Sequence, residues 1–273
     1  YAQALEDVPL NGSQQQQEVR EGAQMRAARW ALDDRDPQEA LRRLDQLAPG
    51  AKRRTMALRI KLKAGRLARE VQTSLETARL LYKHGGLSTE AASGIVRSLL
   101  QEQLHDTHDS AQVQQLWSDL PSVERQDADI VLSFAQRWLH VGGDSTTARS
   151  WLLPLWERYV QSPRQMHAGQ QQRLFMCLQQ ALEDLDADWL ARIESAQRAA
   201  PQDALLQYLA GMACVQRQLW GKGEQLLRQA LQRLQEPALR TQSWKALALL
   251  AEQREDHAAA AHAWREAALQ QTA

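Results

Sequence analysis

Stretches rich in Val, Ile, Thr, Tyr and Phe are missing from this chain, and with them the material of a β-sheet. Only two phenylalanines and four tyrosines occur in 273 residues. Glycine, at 13, and proline, at 8, are scarce as well, so few positions interrupt a helix. The two cysteines, Cys177 and Cys214, sit inside apolar helical patterns and read as buried thiols, not as a secreted disulfide framework. No apolar run reaches the roughly 18 residues of a membrane span, and no signal-peptide pattern is present. Neither sign of charge dominates: 33 Lys and Arg face 33 Asp and Glu, and the pI is near 7.2. No global field therefore steers the molecule to nucleic acid or to an acidic membrane.

Ala, Leu, Gln, Arg and Glu dominate instead, and these straight or small side chains lose little rotamer freedom on a helix. Charge is unevenly spread. Residues 51–70 hold Lys52, Arg53, Arg54, Arg59, Lys61, Lys63, Arg66 and Arg69 against one acid, whereas residues 101–129 hold many acids and one base, Arg125. The basic stretch reads as a solvated helix face, or as a surface for an acidic partner or lipid headgroups. The chain begins at Tyr1 in helix-like sequence, which suggests a soluble piece whose missing N-terminus could hold an anchor.

Residues 1–18 read as a leading helix followed by a polar connector, PLNGSQQQQE over 9–18. From 19 to 273 apolar residues recur at helical spacing in short segments. Turns are expected at 33–37, at Lys63-Ala64-Gly65-Arg66, at His84-Gly85-Gly86, at Gly142-Gly143-Asp144, at 200–203 and at Arg254-Glu255-Asp256. Amphipathic helices on both sides of such turns form antiparallel hairpins, which bury their apolar faces only by stacking. The expected fold is all-α: a right-handed superhelical solenoid of tetratricopeptide-like antiparallel helix pairs, partly degenerate.

Small residues at close helix crossings test that expectation. The last pair has Trp244, Leu247, Ala248 and Ala251, then Ala260, Trp264 and Ala267. The pair before it has Gly211, Cys214, Trp220, Gly223, Leu227 and Ala230, with Pro237 stopping it. An early pair offers Ala28, Ala31, Ala40, Leu44 and Leu47, and a middle one Leu132, Leu139, Ala148, Leu152 and Leu155. The spacing from Gly211 to Ala248 is close to the roughly 34-residue tetratricopeptide period. Stretches 51–84, 88–120 and 165–200 fit poorly and read as degenerate pairs. Trp30, Trp117, Trp138, Trp220, Trp244 and Trp264 fall at interhelix positions and read as core. Pro154 between Trp151 and Trp156 should kink its helix.

No glycine-rich phosphate loop, HExxH, CxxC or nucleophile elbow occurs, so the chain reads as no enzyme and needs no cofactor or metal. His105-Asp106-Thr107-His108-Asp109 has metal-like composition but reads as an exposed loop. His257 and His262 are spaced to different helix faces. Glu183, Asp184, Asp186 and Asp188 cluster where an acid can cap the helix of Trp189. What remains is a groove lined by the first helix of each pair. Its candidate partner-binding residues are Arg29, Arg59, Lys63, Tyr208, Met212, Gln216, Lys245 and Gln253, suited to a peptide or protein segment.

The stretch Leu205 to Leu231 (LLQYLAGMACVQRQLWGKGEQLLRQAL) resembles the proteobacterial HemY proteins. Leu209-Ala210-Gly211, Cys214 and Leu219-Trp220-Gly221-Lys222 stand in the family's order, with Gly223 where the family usually has Ala. Leu116-Trp117 followed by Leu120-Pro121 resembles its upstream LW..LP element. The resemblance implies a protein held in the bacterial inner membrane by N-terminal helices, with repeats on the cytoplasmic side, associated with late haem (protoporphyrin) biosynthesis. The family name is shared with an unrelated flavin-dependent oxidase, and nothing here resembles a dinucleotide-binding fold. The expected function is a scaffold for haem-pathway enzymes. The alternatives are an adaptor for lipopolysaccharide or peptidoglycan machinery, or a haem or porphyrin carrier using Cys214 or a histidine.

Overall fold

A computed structural model of the chain describes residues 14–271. Among them every regular element is helical: fifteen α-helices, two short 3-10 turns and no strand. The all-α expectation holds. The proposed leading helix lies outside the described residues, as does the first half of the proposed connector. Residues 14–18 of that connector are already helical, because a Gln and Glu run contains nothing that breaks a helix.

The chain divides into two compact units, residues 1–106 and 107–273, a boundary the sequence pattern did not mark. Unit 1 contains α1 (Gln14–Asp33), α2 (Pro37–Asp45), the short α3 (Pro49–Lys52), α4 (Thr55–Leu67), α5 (Val71–Lys83) and α6 (Thr89–His105). Helices α1, α2 and α4 pack on one another, and α5 packs on both α4 and α6. Ala28, Leu32, Ala40, Leu44, Ile60 and Ala64 form the core beneath α1, α2 and α4.

Unit 2 contains α7 (Ser110–Ser118), α8 (Ala128–His140), α9 (Ser145–Gln161), α10 (Ala168–Gln180), α11 (Ala187–Ala199), α12 (Ala204–Gln216), α13 (Trp220–Leu231), α14 (Pro237–Gln253) and α15 (His257–Gln271). Most sequential helices pack on one another, most extensively α12 with α13 and α14 with α15, whereas α10 and α11 do not pack closely. Helix α8 also packs on α10, α10 on α12 and α12 on α14, so every second helix lies beside the next in one layer.

Local chemistry starts and stops these helices. Asp36, Asp109, Asp127, Asp144, Asp186 and Asp203 each accept a backbone N–H of the first turn, which would otherwise lack a partner. Asp186 plays the role expected of the acidic cluster, accepting the Trp189 N–H at 2.7 Å. The hairpin turns reuse one device. Arg35, Arg69, Gln218 and Glu255 adopt φ of 60°, 58°, 61° and 61°. The following N–H then reaches back to close the preceding helix: Asp36 to Ala31 O at 2.8 Å, Glu70 to Gly65 O at 2.8 Å, Leu219 to Cys214 O at 2.9 Å and Asp256 to Ala251 O at 3.0 Å.

The turn expected at Lys63–Arg66 is instead the interior of α4, and the chain turns at Arg69. Gly65 is there for closeness: a Cβ would stand 2.7 Å from Ser74 Oγ on α5. Stretch 51–84 is therefore a regular hairpin despite its poor pattern. Gly211 and Gly223 act as the sequence suggested, since a Cβ on Gly211 would meet Leu227 at 2.9 Å and one on Gly223 would meet Gly211 O at 3.2 Å.

Aromatic rings fill the middle of unit 2. Trp117 stacks on Trp151 with centroids 4.4 Å apart, Trp138 leans on Trp151 at 5.2 Å, and Trp156 lies between Phe175 and Trp189. Trp138, Trp151, Trp156 and Trp189 are buried, and Trp117 and Trp244 partly so. Trp30, Trp220 and Trp264 depart from the core expectation, being 53%, 37% and 38% exposed. The helical period places each at an interhelix edge, but no neighbour among the described residues fully covers the ring. Pro154 sits on the exposed side of α9, which continues through it.

Candidate functional site

The layer of α8, α10, α12 and α14 supplies the longest side-by-side set of helices in unit 2. Its first seam is polar. Asp129 and Ser133, one turn apart on α8, receive Gln170 Nε2 at 3.1 Å and an Arg173 guanidinium nitrogen at 2.9 Å from α10, and Arg173 also pairs with Asp129 at 3.5 Å. Further along, Met212 and Gln216 stand one turn apart on α12, the first half-buried and the second exposed. Lys245 and Gln253 stand two turns apart on α14, likewise half-buried and exposed.

Tyr208 does not belong to an exposed face. It is 0% exposed, held inside unit 2 where α12 packs on α10, α13 and α14, and its hydroxyl has no hydrogen-bond partner there. Burial raises the phenol pKa well above its ordinary range. Large aromatic area outweighs one polar atom in choosing this position. In unit 1, Arg29 is exposed on α1, and Arg59 and Lys63 are exposed one turn apart on α4, Arg59 donating to Gly86 O at 3.2 Å.

Sequence reasoning missed Leu249, which lies on the same stripe as Lys245 and Gln253 and is 51% exposed. The four-residue spacing is its only signal. Two concave regions were missed as well. One, about 270 Å³, lies among α13, α14 and α15 and is lined by Glu224, Arg228, Trp244, Arg254 and His262. Burial opposes the Glu224 charge, but Arg254 at 2.5 Å and Arg228 at 3.0 Å outweigh it and hold the pKa below the usual range. The other, an open groove of about 740 Å³, runs between α9 and α11 over Trp156, Val160, Ala191 and Ala196, with Glu157 and Arg192 3.7 Å apart across it. Both regions answer charge with charge.

Cys177 and Cys214 are buried and unlinked. Burial pushes the Cys177 thiol up to about 12 against the opposing pull of Arg173, and burial likewise raises Cys214. Cys214 therefore presents a protonated sulfur on a packing face. Among the described residues no group of three or more His, Cys, Asp and Glu side chains is placed to hold a metal ion. His257 is exposed, and His262 meets the Trp244 ring edge-on at 5.8 Å. A scan of protein-family models and a search of curated proteins return no match to this chain.

Proposed function

We propose that the chain is a non-catalytic scaffold of tetratricopeptide-like helix pairs that binds protein partners along the α8, α10, α12 and α14 layer. The observation that carries this reading is the alternation itself, in which every second helix of unit 2 packs on the next. Stacked pairs that cannot bury their faces alone arrange their first helices in that way. The repeated left-handed turn supports it, since Arg35 and Arg69 stand close to the roughly 34-residue tetratricopeptide period apart. Met212, Gln216, Lys245 and Gln253 are the residues of this layer assigned to partner contact.

The partners in this reading are haem (protoporphyrin) biosynthesis enzymes at the bacterial inner membrane, with the repeats on the cytoplasmic side and an anchor upstream of Tyr1. The resemblance of Leu205–Leu231 to HemY proteins supports that assignment. No helix among the described residues is long and apolar enough to cross a membrane. Affinity capture from detergent-solubilised native membranes tests the proposal, using the chain beside an unrelated helical-repeat control. Haem-pathway enzymes should be enriched, and reversing Lys245 together with Met212→Glu should reduce the enrichment. Enrichment of lipopolysaccharide or peptidoglycan factors alone would replace the haem assignment with the envelope one, and no enrichment would remove both.

A further inference from the structure

Some bases of the stretch 51–70 find acids: Lys52 reaches Asp45 at 4.0 Å and Arg54 reaches Glu21 at 3.1 Å. The bases of α4 do not. Arg59, Lys61, Lys63 and Arg66 have no ion pair among the described residues, and residues 51–69 contain no acid that could supply one locally. Arg59, Lys63 and Arg66 lie at i, i+4 and i+7, with Met56 one turn before the first and Leu67 beside the last. These side chains share one arc of about 100° around the helix. All are exposed, Met56 and Leu67 at 55% each, whereas Leu58, Ile60, Leu62 and Ala64 of the same helix are buried.

Helix stability does not ask for this arrangement. Like charges at i, i+3 and i+4 repel, and a glutamate among them would turn repulsion into attraction. Along the axis the stripe spans about 10 Å from Arg59 to Arg66. Arg59 is steadied by its bond to Gly86 O at 3.2 Å, which uses one of the several N–H groups a guanidinium carries.

We propose that this stripe is a docking surface for an acidic segment of another protein, one that presents carboxylates over about 10 Å with an apolar residue at each end. Charge complementarity selects that occupant: unpaired cations meet carboxylates, and the exposed Met56 and Leu67 meet the apolar ends. An anionic bilayer is a broad surface and calls for bases across several helices. Helices α1 and α5, which pack on α4, instead mix acids into their exposed positions, Glu18 and Asp33 on the first and Glu76 on the second. A stripe one helix wide fits a single segment. The surface belongs to unit 1, so it goes beyond the unit 2 layer of the scaffold reading and stands whichever enzymes that layer binds.

Fluorescence anisotropy tests it, using the full chain and a labelled peptide with three glutamates at helical spacing between two leucines, beside the same peptide with glutamines. Saturable binding of the glutamate peptide is expected at about 50 mM salt, weakening several-fold by about 0.3 M. Lys63→Glu should raise the dissociation constant more than about tenfold without lowering the thermal midpoint, since it relieves repulsion with Arg59 and Arg66. Lys63→Gln should have an intermediate effect, and Arg265→Glu, the same charge change at an exposed position of α15, should have none. No saturable binding, equal binding of the glutamine peptide, or indifference to Lys63→Glu overturns the proposal. So does tighter association with phosphatidylglycerol vesicles or single-stranded DNA that Lys63→Glu abolishes, because the stripe then serves lipid or nucleic acid.

Discussion

Arg149 carries a charge into the interior of unit 2, 2% exposed, and serves there as a clamp on the chain after α10. Its guanidinium donates to Ala181 O at 2.5 Å, Glu183 O at 2.9 Å, Asp184 O at 3.1 Å and Thr146 Oγ1 at 3.2 Å. These carbonyls follow the helix end, where a cation also meets the negative pole of the helix dipole. Arg149→Met should cost about 3 kcal/mol, read as a lower urea midpoint, because buried carbonyls lose charged partners. Arg149→Lys should recover the smaller part of it, since one ammonium cannot reproduce a planar fork. Cys177 sets a pH dependence of definite sign. Its folded-state pKa, near 12, lies above the unfolded value of about 8.5, so the native fold retains a proton the unfolded chain releases. That stabilisation is complete below about pH 8.5 and disappears as pH rises through about 12. Chemical denaturation between pH 8 and 11 should show the decline, and Cys177→Ala should flatten it.

At the scale of the element, glycines in helices divide by what surrounds them. Gly211 lies at the α12 and α13 crossing, where a methyl would press on the Leu227 side chain at 2.9 Å and its backbone N at 3.2 Å. Gly94 lies exposed in α6 with nothing within 4 Å of an added Cβ. Gly94→Ala should therefore stabilise by up to about 1 kcal/mol through helix propensity alone. Gly211→Ala gains the same propensity but overpacks a tight contact, at a cost of about 1–3 kcal/mol, so its net effect should be destabilising. Thermal midpoints of the two variants should move in opposite directions. Residue type and helical setting are alike in the two cases, and only the neighbouring helix separates them.

At the scale of the whole molecule, the two compact units imply two cores, one beneath α1, α2 and α4 and one around the aromatic rings of unit 2. Residues 107–273, produced alone, should retain a helical far-UV spectrum and a cooperative thermal transition, because α8 to α15 bury their faces within that unit. A broad, non-cooperative melt of this fragment would show that its core depends on residues 1–106.

The helical character of the chain and most of its turns were legible in the residues alone. Those depend on contacts within a turn or so: an aspartate that caps the next N–H groups, a left-handed residue that closes a carbonyl, an apolar stripe of helical period. The small crossings at Gly211 and Gly223 were readable for the same reason, once the repeat was in register. Which stripe positions are covered depends on packing between helices. Tyr208 was expected on an exposed face and Trp264 in the core, yet the first is 0% and the second 38% exposed. Gly65 looked like a turn until Ser74 was placed against it, and nothing in the spacing marked Arg149, whose carbonyl partners lie 32 to 35 residues away. Burial is set by neighbours about thirty residues distant in sequence, and spacing along one helix carries no record of them.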